Sequence, residues 1–234
     1  MADQPLVKIC GLQRREDVLL ADKLGADFLG FILSAGFSRT LRLHEARSLI
    51  ENVHSPKVAV LVDENPADSV TAAEKIGAAI LQLHGDEPPT VIEELRNRGD
   101  WLIWKGIRAK SMDDIRRMVD ACGNLVDGFL LEGWGKGVIG GGGVKLDLDP
   151  GGIHELLPAE TQFILAGGLT HENVVEAAAS FQPDILDVSS GVESLQGCKD
   201  PELLHHFIKV VRVSQKQESR VTSLTPRGDI LGEH

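Results

Sequence analysis

Long apolar runs are missing from this 234-residue chain, and the longest, such as VAVLV at 58–62, are far too short to span a bilayer. The first residues, MADQPLVKICG, also lack the apolar stretch of a secretory signal. Cysteine is scarce. Cys10, Cys122 and Cys198 are an odd number at no metal-like spacing, so neither a disulfide framework nor a zinc site is suggested. Together these absences point to a reduced, cytoplasmic protein away from membranes. Positive charge is short as well: 24 Lys and Arg face 35 Asp and Glu, a formal net charge of -11. Nucleic acid would demand a basic stripe that this balance does not offer. An anionic small molecule is still allowed, provided that local donors offset the repulsive overall field.

What the chain does have is alternation. Short apolar runs at 7–10, 27–33, 57–62, 79–83, 101–105, 127–131, 162–166 and 185–188 read as strands. Helical patterns fall between and after them, at 15–24, 44–53, 66–76, 88–98, 112–121, 150–157, 170–180 and 200–213. Eight strand signals alternating with eight helix signals favour a parallel sheet with crossover helices. An open doubly wound sheet would call for GxGxxG after the first strand, and CGLQRRED holds one glycine. The expected fold is therefore α/β, a single (β/α)8 TIM barrel over residues 1–213. Residues 214–234 are polar and without sustained period, and are expected to form a disordered tail.

In such a barrel the active site lies at the C-terminal ends of the strands. Those ends carry Cys10, the loop to Arg39, Asp63, His84, Lys105, Glu132, Gly167–Gly168, and Asp187 with Ser189–Ser190–Gly191. Strand period puts Lys8 on the side of Cys10, and Gln82 on that of His84. The turns LAGGLTHENV and DVSSGVES follow strands seven and eight, with Thr170 as a plausible helix N-cap. Paired N–H groups there form a recurrent phosphate site, although the glycines could also serve tight turns alone. Cys10 reads either as a small buried apolar residue or as a base activated by Lys8 or a helix start. Arg39, with Arg42 as competitor, could grip a carboxylate in bidentate fashion or sit as a solvated charge. His84 could be an acid, a ligand hydrogen bonder or a structural donor, and no partner at chelate spacing makes it a metal ligand. Asp63, Lys105 and Asp147 could touch substrate or stabilise the mouth.

VKICGL (7–12), GADFLGFIL (25–33), LQLHGDE (81–87), ILAGGLTHENV (164–174) and DVSSGVESLQGCKDPELLHHFI (187–208) carry a resemblance covering residues 7 to 213. In order and spacing the chain resembles the phosphoribosylanthranilate isomerase family. The resemblance implies an Amadori rearrangement of N-(5-phosphoribosyl)anthranilate in tryptophan biosynthesis, without metal or organic cofactor. It implies a small phosphosugar as the binding partner, and leaves monomer or homodimer open. It also implies Cys10 as general base and Glu132 as general acid, with Lys8, Arg39, His84 and Asp187 as substrate-binding residues. Arg39 would hold the anthranilate carboxylate. Phosphate would lie on Gly167, Gly168, Ser189, Ser190 and Gly191.

The chain departs from the family at three places. Glu132 stands where the family has aspartate, adding one methylene. The glycine run at 140–143 lacks the family's hydroxyl residue at Gly142 and its aromatic at Leu148, and is expected to form a flap over the substrate. The loop before Arg39 is thin in basic residues. These changes keep two alternatives in view: a related phosphosugar isomerase or lyase with another aglycone, or a non-catalytic paralogue.

Overall fold

The computed structural model describes residues 4–132 and 148–222, the side chains of the last helix up to Val213. The expected flap at 140–143 and Asp147 therefore lie outside the described residues. Eight parallel strands pair in chain order into a closed barrel. They are β1 (Leu6–Ile9), β2 (Phe28–Ile32), β3 (Lys57–Leu61), β4 (Ala78–Leu83), β5 (Leu102–Ile107), β6 (Gly128–Glu132), β7 (Gln162–Ala166) and β8 (Ile185–Val188). The crossover helices are α1 (Arg15–Lys23), α2 (Leu43–Ile50), α3 (Pro66–Ile76), α4 (Pro89–Arg96), α5 (Met112–Cys122), α6 (Pro150–Leu156) and α7 (Val174–Phe181). The last helix, α8 (Pro201–Thr222), closes the ring. No described helix is long and apolar enough to cross a membrane.

The strands read as continuous apolar runs because both of their faces are buried. One set of side chains, including Val7, Ile9, Phe31, Leu81, Phe129 and Leu186, packs outward against the helices. The alternate set, Val58, Val60, Ile80, Trp104, Leu130, Ile164 and Ile185, fills the interior. Trp104 plugs that interior, edge-on to Phe28 at 5.2 Å between ring centroids, with its indole N–H donating to Gln162 Oε1 at 3.1 Å. A packed floor of this kind closes the barrel interior beneath the mouth.

An aspartate fastens the opposite rim at three places. Asp27, Asp127 and Asp184 each precede an even strand, in ADF, VDG and PDI. Each carboxylate accepts the first free N–H of the strand before: Val7 at 2.7 Å, Ile103 at 2.6 Å and Phe163 at 2.7 Å. Each backbone N–H returns a bond to the carbonyl of the same residue, at 2.9, 2.8 and 2.9 Å. The same short motif thus sets register at the stability face, away from the chemistry.

α8 is longer than the helix expected at 200–213 and runs on through Thr222. Gln215, Lys216, Gln217, Glu218 and Arg220 are good helix formers, and no Gly or Pro interrupts before Pro226. Between β8 and α8, a 3-10 turn (Ser190–Val192) leads into an antiparallel hairpin of β9 (Glu193–Leu195) and β10 (Cys198–Lys199) that the apolar pattern did not announce. The rim motif makes a direct prediction. Asp127→Ala leaves the Ile103 N–H unpaired and should lower unfolding stability by about 1–3 kcal/mol. Urea denaturation should show the shift, while the barrel mouth keeps its properties.

Candidate active site

Cys10 follows the last residue of β1 and faces the barrel interior, and its N–H is tied to Val188 O at 2.9 Å. Two residues earlier, Lys8 points the same way. It lies directly opposite Asp187 in the β1–β8 ladder, and its Nζ donates to Asp187 Oδ2 at 2.7 Å. Lys8 is fully buried and Asp187 nearly so. Burial alone would discharge Lys8, but the charges of Asp187 and Cys10 outweigh it and push the ammonium up. For the Cys10 thiol burial wins. It pushes the thiol above its usual value; Lys8 and Lys199 pull the other way, and Asp187 adds to the rise. The second oxygen, Asp187 Oδ1, is buried without a hydrogen-bond partner.

Arg39 occupies the other side of the Cys10 strand end, and it is already engaged. Its Nε and Nη2 fork onto Glu193 at 2.8 and 2.6 Å, leaving Nη1 directed to Ser38 Oγ at 3.4 Å. Lys199 completes a triad, donating to Glu193 Oε1 at 2.8 Å and to Ser189 O at 3.0 Å. Burial pushes the Glu193 carboxyl up, but the bonds from Arg39 and Lys199 pull it below its usual value. Sequence reading missed Glu193 and Lys199. The signal was the glycine turn in ESLQGCK, which folds the two onto each other across the hairpin. Arg42, the competing candidate, is three-quarters exposed beside Glu45 and takes no part.

The turns after β7 and β8 meet. Gly167 and Gly168 hold φ of +88° and +70°, which β-carbons would strain. A β-carbon on Gly191 would sit 1.8 Å from Leu169 O, so only glycine lets the two turns touch. Thr170 is not the helix cap. The helix begins later, at Val174 behind Asn173, whose Oδ1 accepts the Thr170 N–H at 2.7 Å. That bond folds residues 170–173 into a turn of their own, and Thr170 Oγ1 receives the Glu172 N–H at 3.3 Å instead.

Across the mouth, Glu132 ends β6. Its Oε1 lies 3.2 Å from His84 Nε2. The imidazole is held on its other side by Gln82 Nε2, 3.2 Å from Nδ1, and the His84 carbonyl accepts from Arg108 at 2.8 Å. Burial pushes the Glu132 carboxyl up, and His84, Arg108 and Lys8 together pull it below its ordinary value. Lys105 is not part of this group. β5 continues to Ile107, so Trp104 and Gly106 face inward and Lys105 points outward. It is buried on Glu87 at 2.8 Å and Gly85 O at 2.6 Å, and Asp63 serves the same loop by accepting the Asp86 N–H at 2.6 Å. Among the described residues, no group of three or more His, Cys, Asp or Glu is arranged to hold a metal ion.

A family model for N-(5'-phosphoribosyl)anthranilate (PRA) isomerase matches residues 7–210. The chain belongs to this family. It is 37% identical over 216 residues to N-(5'-phosphoribosyl)anthranilate isomerase of Hyphomonas neptunium, covering 90% of this chain and 98% of that one. A crystal structure of phosphoribosyl anthranilate isomerase from Thermotoga maritima aligns with a TM-score of 0.77 at 29% identity, covering 89% of this chain and 98% of that one. Another structure, of the isomerase in complex with reduced 1-(o-carboxyphenylamino)-1-deoxyribulose 5-phosphate, aligns at 0.76 and 27% identity over 89% and 98% of the two chains. Membership in the PRA isomerase family makes the chain an enzyme of tryptophan biosynthesis. Within the family, the buried surroundings of Cys10 have a measurable consequence. Ultraviolet titration of the thiolate, taken as the difference from Cys10→Ser, should place this thiol above the usual thiol value. Ionisation at or below neutral pH would contradict the burial argument.

Proposed function

We propose that this chain converts N-(5-phosphoribosyl)anthranilate into 1-(2-carboxyphenylamino)-1-deoxyribulose 5-phosphate, with Cys10 as general base and Glu132 as general acid. The observation that carries the reading is the pairing of Cys10 and Glu132 as inward residues at the ends of β1 and β6, in a barrel that matches the family over residues 7–210. The substrate is anionic at both ends, and the mouth has a receptor for each. The touching turns at Gly167–Gly168 and Ser189–Ser190–Gly191 suit the phosphate. The Nη1 side of Arg39 suits the anthranilate carboxylate, with Glu193 fixing the plane of the guanidinium. Holding both ends aligns the ribose between base and acid.

The chemistry then needs two proton transfers. Glu132 protonates the ring oxygen as the bond from C1 to that oxygen breaks, and the nitrogen lone pair forms the C1=N bond. The thiolate of Cys10 removes the proton on C2, which the iminium has made acidic, giving an enolamine. Tautomerisation of the enolamine yields the ketone. Lys8, charged and fully buried, opposes the burial penalty on the Cys10 thiolate. Because the folded thiol is raised and the Glu132 carboxyl lowered, the combination of thiolate and protonated acid is a minor form at neutral pH. The value of kcat/KM should therefore stay level between the two ionisations and fall on either side of them.

One observation favours a second reading, a related phosphosugar isomerase with a different aglycone. Two of the donors of Arg39 are already spent on Glu193. The same assay decides between them: loss of phosphoribosylanthranilate fluorescence with purified protein. The proposal expects turnover, with kcat reduced by about 10²–10⁴ in each of Cys10→Ser and Glu132→Gln. Absence of both turnover and binding of a reduced product analogue would favour the second reading. Full activity in either variant would remove that residue from its role.

A further inference from the structure

Glu132 presents a conflict that its surroundings resolve. A general acid must arrive protonated, yet His84, Arg108 and Lys8 all face its carboxylate and hold it ionised. The geometry points to a shared acid: Glu132 and His84 hold one proton between Oε1 and Nε2, with the Gln82 amide holding the far ring nitrogen, Nδ1. This inference rests on the proposed role of Glu132 and adds His84 and Gln82 as residues that position and supply its proton.

The arrangement is built for it. His84 Nε2 and Glu132 Oε1 are 3.2 Å apart, and Gln82 Nε2 stands 3.2 Å from the far ring nitrogen. The ring packs against Gly106, where a β-carbon would come within 2.6 Å of Nδ1. Arg108 anchors the His84 carbonyl from β5's loop. The other end of the Gln82 amide, Oε1, is buried without a hydrogen-bond partner, and a half-turn of the amide brings it to Nδ1. Gln82 Oε1 then accepts the Nδ1 hydrogen, which stays in place throughout, and Nε2 is left to pass a proton to and from Glu132 Oε1. The loaded pair carries that proton on Oε1 or Nε2, and the spent pair is carboxylate and neutral imidazole.

The extra methylene of Glu132 follows from the same geometry. An aspartate would draw the carboxylate back by about 1.5 Å, one carbon–carbon bond, and out of hydrogen-bonding range of Nε2. In the reaction, the loaded pair gives its proton through Glu132 to the ring oxygen as the C1–O bond cleaves, leaving carboxylate and neutral imidazole. When the enolamine becomes ketone, the hydroxyl proton on C2 returns to the pair, and C1 takes its hydrogen from the Cys10 thiol. The pair and the thiol both end as they began.

The test is the pH profile of kcat for the unmodified protein, His84→Asn, Glu132→Asp and Glu132→Gln. If His84 helps to hold the proton of the acid, His84→Asn should lower kcat at neutral pH by roughly 10²-fold and move the low-pH break of the profile further down. Glu132→Asp, which withdraws from Nε2, should show the same displaced break. A uniform loss of kcat at every pH, with the break in place, would overturn the shared proton while leaving Glu132 as acid. Undiminished turnover in Glu132→Gln would instead overturn both the acid role and the pair.

Discussion

Two opposite charges sealed under the mouth of the barrel govern what can happen above them. Lys8 and Asp187 are direct neighbours in the β1–β8 ladder, so their 2.7 Å bond exists only if the first and last strands close the ring in register. Each ion costs several kcal/mol to desolvate, and losing one partner leaves the other uncompensated. The pair therefore demands correct closure and also exploits it. Once formed, it keeps an ammonium beneath Cys10 and an unpartnered carboxylate oxygen beside it, in a site that water does not flood.

From that pair the mouth divides into two halves of different character. On one side, Arg39, Glu193 and Lys199 form a charge triad built from β2's loop and the β9–β10 hairpin. Its charges are largely spent on one another, as suits a platform that orients a ligand. On the other side, Gln82, His84 and Glu132 form a chain of hydrogen-bonding groups in which one buried acceptor is still open. Such a chain can change protonation without moving its heavy atoms far. Cys10 lies between the halves, with Lys8, Lys199 and Arg39 all close enough to affect its charge.

Much of the scaffold was legible in the residues, for a physical reason. Runs such as FLGFI and QFILA are buried on both faces, so apolarity marks them without help from the rest of the chain. The strand ends followed at once, and with them Cys10, His84 and Glu132. What could not be read were pairings between distant segments. Arg39 and Glu193 lie 154 positions apart, and nothing local in FSRTLR says that an internal carboxylate will take its fork. Lys105 was expected to end its strand, but the strand runs two residues further, so its side chain turns outward and braces the loop after β4. Thr170 lost its expected cap to Asn173 for a similarly local reason, a competing side-chain bond three residues on. The depressed carboxyl of Glu132 depends on residues from three other strands or their loops, which only closure assembles.

The central claim is that the Cys10 thiolate takes the hydrogen from the carbon next to the anomeric centre while Glu132 opens the ring. The most direct measurement is single-turnover conversion of phosphoribosylanthranilate carrying deuterium on that carbon. The account predicts slower conversion than with the unlabelled substrate, and conversion of either slowed by about 10²–10⁴ in Cys10→Ser. Equal single-turnover rates for the two substrates, with Cys10→Ser as fast as the unmodified protein, would contradict it.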